Sequence, residues 1–586
     1  MKSGILTGMK AEIEVGEVQV ERLDDIPVIF GHLQKTRIQA TVDQVIEPHG
    51  NWQGLSPGWI ITIWLTHILS EHTHCMDRVR EWVAKRLHVL QELTGQSLTE
   101  LDFTDDRLAL CLHMLSQTDH WFEIEAQLGC HLLRVYQLKE KPTVRLDATT
   151  GTVNHDPDDH TLFKIGKAKN GQYETQYKMM LASLDPLGLP LVVDIVSGDR
   201  ADDPLYLPCY RRVKQVLPES GVLVVGDSKM SALNTRATIV AKDDFYLTPL
   251  AHLKDEPGLL KELLVPWADR EDEMERIFLP EDLPEDGQAP DPKLALACGF
   301  EVSRTRQAQV AGRSVEWQER LLVVRSFQYA QSTQKLLHRR LDKAEKALKA
   351  LTPSRERGKR QIKDEASLLA GIQRIEEKYR VQGLFEYDYQ QEVTEQHIRA
   401  YRSKPARTER KVRFQLTVTR NEQAIAEAEF RAGWRIYATN APSGQLALTQ
   451  AVLAYRDQYI EENIFRRLQG KILSITPVYV QRDDHAKGLF HLLTLAARIL
   501  ALGDYTARQT LAQDNAELAG IYPGNPKRCT ATPTTERMLA AFDNINLLLV
   551  PVAGQTHCQV TPLTEVQKRI LELWRLPTTL YTHLSV

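Results

Sequence analysis

Three acidic residues are spaced where they could support metal-dependent phosphodiester chemistry. Asp147 ends the short run Val-Arg-Leu at 144–146, Asp227 ends the apolar run at 222–226, and Glu462 lies within a helical pattern. A carboxylate at the carboxyl end of a strand lies at the rim of a sheet, where α/β proteins place their sites. Carboxylate oxygens are the ligands that Mg²⁺ prefers, and a pair of such cations can activate a nucleophilic oxygen and stabilise a leaving oxygen.

Each of these residues also has an ordinary structural explanation when it is taken alone. Asp147 and Asp227 could cap a turn or a helix, and Glu462 could lie on a solvated helix face. The chemistry is therefore predicted only for the three residues acting together.

The surrounding sequence predicts the elements that would hold these residues. Short β-like runs lie at 143–146, 180–184, 189–196, 222–225 and 245–247. Asp185–Gly188 is a turn signal that makes the second and third runs a hairpin. A helix is expected from about Pro204 to Leu217, a further strand over Gly433–Asn440, and one long helix from about Ser443 to Gln469. This alternation predicts an α/β (α+β) fold.

An ordered series of motifs extends over nearly the whole chain. Its segments are Glu47–Asn51, Gly54–Trp59, Leu101–Leu108, Val144–Thr150, Ser197–Tyr206, Val225–Met230, Tyr437–Asn440, Tyr455–Gln469, Pro477–Val480 and Gly488–Leu493. In this order they resemble the DDE-type transposases of bacterial insertion sequences, in the branch with a β-rich insertion between the second Asp and the Glu.

The resemblance implies a ribonuclease-H-like catalytic core, interrupted by a large insertion and preceded by a helical N-terminal domain. It implies that Asp147, Asp227 and Glu462 are the catalytic residues and that they ligate a pair of Mg²⁺ or Mn²⁺ ions. The implied activity is cleavage of DNA at the element ends, followed by strand transfer into target DNA. The expected partners are double-stranded DNA, as terminal inverted repeats and target, and a second copy of the chain in a homodimer.

Related transposases carry a helix signature of Tyr, two residues, Arg, three residues, Glu, six residues and Lys. Tyr455 and Glu462 match this signature, whereas Gln458 and Gln469 stand at the Arg and Lys positions. Glu461 precedes Glu462 and leaves an alternative register one residue earlier. The resemblance implies DNA contacts by a set of residues in and near this helix and the second Asp segment, namely Tyr455, Gln458, Arg466, Arg467, Gln469, Lys471 and Lys229.

The chain of 586 residues is long enough for several domains. An acidic, proline-bearing stretch at 269–291 and a basic helical stretch at 335–380 interrupt the α/β pattern, as the implied insertion would. The expected segments are 1–130, helical and binding DNA ends; 131–250, first part of the core; 251–432, the insertion; 433–510, second part of the core; and 511–586, a helical C-terminal region.

The formal net charge of −4 excludes a uniformly basic nucleic-acid coat but permits local basic patches, such as Arg78–Arg86, 335–380 and Arg402–Arg413. Seven widely spaced cysteines without a CxxC pair indicate a reducing compartment. The N-terminal residues lack the apolar region of a signal peptide. These features predict a cytoplasmic protein without a membrane segment, and the resemblance implies that it is bacterial and associated with the nucleoid.

Two other functions are compatible with the same residues. A ribonuclease-H-like nuclease would cut DNA without strand transfer, and a catalytically decayed copy would bind DNA without cutting it. Only a transposase would join a 3′ end to target DNA.

Overall fold

The computed structural model describes residues 17–138, 142–168, 171–250, 258–267, 270–284, 288–353, 362–400, 405–552 and 555–585, without the side chains of Glu409 and Glu461. The described residues form two compact units. Unit 1 comprises those within Met1–Thr248, Arg306–Trp317 and Ala454–Val586, and unit 2 comprises those within Pro249–Thr305 and Gln318–Leu453.

The N-terminal part of unit 1 is one short strand followed by seven helices. They are β1 (Gln19–Arg22), α1 (Ile26–Thr36), α2 (Ile38–Val45), α3 (Pro57–Glu71), α4 (Met76–Ala84), α5 (Leu87–Thr94), α6 (Asp105–Ser116) and α7 (Thr118–Val135). Pro57 occupies the first helical position of α3, where a missing N–H costs nothing, and the helix is buried from there to Leu69 apart from Trp59.

A mixed sheet follows in unit 1, with its connecting helices. Its elements are β2 (Thr143–Thr152), β3 (Lys164–Lys167), β4 (Tyr173–Leu184), β5 (Leu189–Ser197), α8 (Tyr206–Val216), β6 (Leu223–Gly226), α9 (Leu233–Val240) and β7 (Phe245–Pro249). The strand order is β5–β4–β2–β6–β7, with β3 beside β5 on the edge of β4.

The strand directions in this sheet are mixed. β4 is antiparallel to both β2 and β5, whereas β6 is parallel to β2 and β7 is parallel to β6. A hairpin needs only a short turn, which Asp185–Gly188 supplies, whereas a parallel pair needs a crossover, which α9 supplies between β6 and β7. The predicted α/β class and hairpin are confirmed, and this order with these directions is the ribonuclease-H-like arrangement.

Unit 2 holds a long hairpin, a helical pair and a two-stranded ribbon. Its elements are α10 (Leu259–Leu264), β8 (Glu275–Ile277), β9 (Ala297–Val310), β10 (Arg313–Ser326), α11 (Phe327–Lys349), α12 (Glu365–Tyr379), β11 (Phe385–Ile398), β12 (Arg407–Arg420), α13 (Glu422–Phe430) and β13 (Trp434–Thr439). The residues of β9 and β10 within Arg306–Trp317 belong to unit 1. The apolar seam predicted for the basic stretch is buried at Leu337, Leu341, Ala344 and Leu348, in a small core with α12 and β12. Parts of the acidic and basic stretches, at 285–287, 354–361 and 401–404, lie outside the described residues.

The chain then completes unit 1. Its last elements are α14 (Leu448–Arg456), α15 (Tyr459–Gln469), α16 (Asp483–Asp514), α17 (Thr535–Leu539), β14 (Asn546–Val552), β15 (Gln555–Val560), α18 (Glu565–Leu573) and α19 (Thr579–Thr582). Only the part of α14 from Ala454 onward belongs to unit 1. The region 511–586 is not only helical, because β14 pairs with both β15 and the N-terminal strand β1. The apolar run at 546–552 therefore pairs with a strand more than 500 residues earlier in the chain.

The long helix α16 forms the centre of the unit 1 core. It is the one described helix long and apolar enough to span a membrane, but 94% of its apolar window is buried inside the protein. Buried Arg498 donates to Glu125 at 3.3 Å and to the Leu191 carbonyl of β5 at 3.0 Å. These contacts identify α16 as a core helix and confirm the buried helix predicted over Gly488–Leu502. The seven cysteines, all within the described residues, form no disulfide.

Candidate active site

The parallel pairing of β2 with β6 places the two predicted aspartates side by side. Leu146 is opposite Gly226 in this ladder, and Asp147 and Asp227 are the next residues on the two chains. The backbone of Asp227 is still extended, with φ −73° and ψ −177°, so its side chain leaves the same face of the sheet as that of Asp147. Because neighbouring strands are about 4.8 Å apart, both half-buried carboxylates lie within reach of a shared ligand.

Asp227 is oriented by contacts from three directions. Its Oδ1 accepts a hydrogen bond from the Tyr206 hydroxyl at 2.6 Å and another from the Lys229 backbone N–H at 2.9 Å. The Thr248 hydroxyl, on β7, donates to the Asp227 backbone carbonyl at 2.7 Å. Because Tyr206 and Thr248 are fully buried, the start of α8 and the end of β7 together fix the position of this carboxylate.

Arg145 lies two residues before Asp147, on the same face of β2, and is only 1% exposed. Its guanidinium pairs with Asp185 at 2.6 Å and donates to the Ala454 carbonyl at 2.7 Å. Burial raises the pKa of Asp185, and the neighbouring guanidinium opposes that rise. This buried arginine therefore joins β2 to the β4–β5 turn and to the last turn of α14.

The predicted single helix from Ser443 to Gln469 is wrong, because α14 ends at Arg456 and α15 begins only at Tyr459. In a continuous helix the Ala454 carbonyl would accept the N–H of Gln458. In this protein that carbonyl accepts from Arg145, Gln458 donates to the Tyr455 carbonyl at 3.4 Å, and the chain turns before α15 begins. Tyr455 thus lies on α14 and Gln458 in the turn, and both side chains are half-buried.

Glu462 lies on the exposed face of α15, together with Arg466 and Gln469. Gln469 Nε2 donates to the Thr150 carbonyl of β2 at 3.3 Å. This bond and the Arg145–Ala454 bond are two anchors between the strand and the 454–469 segment. Asp147 lies between the anchors on the strand and Glu462 lies between them on the helix, so α15 carries Glu462 along the same face of the sheet.

The three carboxylates do not form a ready ligand set. Among the described side chains, no group of three His, Cys, Asp or Glu residues is arranged to hold a metal ion. The two aspartates fit a hard divalent cation, because they present oxygen donors at one rim of the sheet. The assignment of Glu462 as the third ligand stays a prediction, and the side chain of its alternative, Glu461, lies outside the described part of the chain.

Lys229, predicted to contact DNA, is part of a charged cluster next to Asp227. Its Nζ forms an ion pair with Asp202, in the loop after β5. Lys178 Nζ also pairs with Asp202, at 2.6 Å, and burial lowers the pKa of Lys178. Asp202 therefore joins two lysines beside the candidate site, and the DNA contact of Lys229 stays a prediction.

The basic residues at the end of α15 have different surroundings. Arg467 is largely buried and pairs with Asp504 at 2.6 Å and with Glu536 at 2.9 Å. Arg466 and Lys471 are exposed, and no carboxylate among the described side chains lies within ion-pair distance of either. Arg467 thus holds α15 to α16 and α17, whereas Arg466 and Lys471 are accessible to a ligand.

The sequence did not predict a role for three residues of this site. Tyr206 and Asp202 lie within the motif Ser197–Tyr206, and Arg145 within Val144–Thr150, but neither motif indicated what they contact. A charged residue inside an otherwise apolar strand was the available signal for Arg145, because a buried charge requires a partner.

No protein-family model and no curated protein sequence matches this chain. A similar solved structure is the cryo-electron microscopy structure of a piggyBac transposase synaptic complex with hairpin DNA. The likeness covers 97% of this chain and 83% of the other, at 7% sequence identity and a TM-score of 0.33. That TM-score is too low to bear on fold or function, so the fold class rests on strand order and the candidate site on side-chain geometry.

Proposed function

We propose that this protein is a DNA transposase with its active site at Asp147, Asp227 and Glu462. It would cut phosphodiester bonds at the ends of a mobile element and join the freed 3′ ends to target DNA. The observation that carries the proposal is the parallel register of β2 and β6, which brings two carboxylates 80 residues apart in sequence (227 − 147) to one rim of a ribonuclease-H-like sheet.

The residues of the chain would act by holding the reacting groups in place, since phosphoryl transfer depends mainly on positioning and charge. Tyr206 and Thr248 orient Asp227. Arg145 and Gln469 hold the segment that carries Glu462 against β2. Mg²⁺ or Mn²⁺, held by Asp147 and Asp227 with Glu462, would supply the positive charge that stabilises the reacting phosphodiester.

The proposed partners follow from this chemistry. The substrate would be double-stranded DNA, both the terminal inverted repeats of the element and the target. Since two ends must be joined to one target, we propose that the protein acts as a homodimer on DNA. We propose that it works in the bacterial cytoplasm, associated with the nucleoid.

The test is a cleavage and strand-transfer assay with DNA that carries the element's own ends, in the presence and absence of Mg²⁺. Wild type would be compared with Asp227→Asn, which keeps the shape of the side chain and removes its charge. Joined product from wild type alone is the expected result. No cleavage by wild type, with either Mg²⁺ or Mn²⁺, would contradict the proposal.

Two observations favour other functions, and the same assay separates those functions from a transposase. The described side chains contain no three-carboxylate group, and Gln458 and Gln469 replace the Arg and Lys of the helix signature. Nicking without joined product would identify a nuclease that lacks strand transfer. Salt-sensitive DNA binding without any cleavage would identify a decayed copy.

A further inference from the structure

An open cleft of about 840 Å³ lies within unit 1, beside α15. Its walls come from α15, the β4–β5 turn, α16 and the segment 520–541. We call it the α15 cleft. Its floor is apolar and includes Leu187, Ile460, Ile464, Ala501 and Ile521. Glu462 precedes the lining residue Asn463, so the cleft borders the helix face that carries the candidate catalytic glutamate.

The charge of the α15 cleft is positive, because its acidic residues are already paired. Asp504 and Glu536 are the two acidic lining residues. Arg467 pairs with both of them, at 2.6 and 2.9 Å, and Arg508 also pairs with Asp504, at 3.1 Å. The remaining lining cations are therefore not neutralised by these carboxylates.

Three lining cations are available to a ligand. Arg466, Lys471 and Arg537 are exposed, and among the described side chains no carboxylate lies within ion-pair distance of any of them. Arg466 is oriented by a hydrogen bond to Asn463. Their like charges repel one another, a cost that a bound polyanion would remove.

An aromatic residue pre-orients part of this positive rim. The Arg537 guanidinium lies 4.7 Å from the centre of the Tyr522 ring, and that of Arg528 lies 4.2 Å from it. A guanidinium at this distance is attracted to the π face of the ring, and its N–H groups can bind phosphate oxygens in pairs. The lining residue Tyr522 thus positions Arg537, which also lines the cleft, and Arg528, which does not, beside a phosphate-bearing ligand.

We propose that the α15 cleft binds the phosphate backbone of a DNA strand next to the candidate active site. The exposed cations Arg466, Lys471 and Arg537 contact phosphates, while the apolar floor accommodates sugar and base surfaces. A small free anion would not use that floor, which is why a nucleic-acid strand fits the cleft better. The inference rests on the proposed function, and it gives the C-terminal segment 520–541 a part in substrate binding.

The test measures binding of fluorescent random-sequence DNA, single- and double-stranded, by anisotropy across a range of NaCl concentrations. For each phosphate contact removed, the slope of log affinity against log salt should fall by about 0.9 for duplex and 0.7 for single strands. We expect Lys471→Ala and Arg537→Ala each to lower the slope by one such step and to weaken low-salt binding roughly fivefold to tenfold. Arg211→Ala, at an exposed site on α8 outside the cleft, is the matched control and should change neither quantity.

Two further variants show whether a change in DNA binding comes from the charge of residue 537 or from a loss of folding. Arg537→Lys keeps the charge and should restore most of the slope, whereas Arg537→Glu should weaken binding more than Arg537→Ala. Thermal unfolding midpoints equal to wild type would show that the substitutions do not act through stability. Inorganic phosphate at equal ionic strength should displace DNA no better than chloride, because the cleft requires a polymer.

Cleavage of element-end DNA, measured in parallel, separates this inference from the proposed function. If wild type cleaves DNA, but Lys471→Ala and Arg537→Ala leave DNA affinity and slope unchanged, DNA binding by the cleft is contradicted and the proposed function is not. Reduced affinity in both variants, with wild type inactive in cleavage, would support the cleft and overturn the function. Wild type that fails to bind DNA at low salt would overturn both.

Discussion

The strand-borne carboxylates and the helix-borne carboxylate of the candidate site are positioned by different forces. Asp147 and Asp227 follow directly on a parallel ladder, so backbone hydrogen bonds set their spacing. Glu462 is carried by α15, which side chains hold in place. Gln469 bonds to β2, Arg467 pairs with α16 and α17, and apolar residues of α15 pack in the unit 1 core. A ladder cannot shift by less than one residue, whereas a helix held by side chains can slide or rotate by small amounts.

This difference implies a preformed half and an adjustable half of the site. The aspartate pair exists before DNA arrives, because it belongs to the core sheet. The exposed Glu462 can complete the ligand set only if α15 or its own side chain moves toward the pair. Substitutions in the two halves should therefore have effects of different size and kind.

The largest effect is expected from the preformed half. Asp147→Asn and Asp227→Asn should each lower the cleavage rate at least about 1,000-fold, equivalent to about 4 kcal/mol of activation free energy, because each removes a charge that the reaction requires. DNA binding at low salt should stay within about twofold of wild type. The measurement is the initial rate of cleavage of element-end DNA. Asp203→Asn, an exposed neighbour outside the ladder, is the control, and an aspartate variant within tenfold of wild type would contradict the assignment.

The adjustable half is tested by the neighbouring glutamates on α15. Glu462→Gln should slow cleavage about 100-fold or more, because the third carboxylate is lost, while Glu461→Gln should stay within a few-fold of wild type. Rates of cleavage and strand transfer would be compared for both variants. The reverse pattern would move the catalytic glutamate one residue earlier, and full activity in both would remove this helix from the catalytic site.

Loss of the Arg145 contact should disturb the position of Glu462 on α15 more than the positions of Asp147 and Asp227 on the sheet. Arg145→Leu leaves the Asp185 carboxylate buried without its partner, so the free energy of unfolding of unit 1 should fall by about 3 kcal/mol, measured in urea. At a temperature where the variant stays folded, cleavage should still fall roughly tenfold, because the segment that leads into α15 loses one of its two hydrogen-bonded anchors to β2. Asp185→Asn and the double variant give the coupling energy of the pair, and additive effects would show that the contact is not coupled.

The smallest effect is expected when one hydrogen bond to the preformed pair is removed. Tyr206→Phe deletes the donor to Asp227 and should slow cleavage about twofold to tenfold, in keeping with about 1 kcal/mol for a hydrogen bond. Tyr210→Phe, on the same helix, deletes a similar bond of 2.6 Å to Asp244 and is the matched control. Equal losses of activity in the two variants would show that the Tyr206 effect is only structural.

The same division separates what the sequence could predict from what it could not. The strands that carry Asp147 and Asp227 were predictable, because short apolar runs and turn signals are local features. The break between α14 and α15 was not, because it lies beside a contact between Ala454 and Arg145, which are 309 residues apart along the chain. The pairing of β14 with β1 was missed for a similar reason, since strands from opposite ends of the chain leave no local signal.

The division of unit 1 along the chain also bears on how the protein is made. The last of the strands β2–β7 ends at Pro249, yet α16, which packs against β5, ends only at Asp514, 265 residues later (514 − 249). At typical translation rates of 5–20 residues per second, that gap lasts on the order of 10–50 s. During this time the sheet lacks its main core helix, so a nascent chain would expose the apolar face that α16 later covers and would be a substrate for ribosome-associated chaperones.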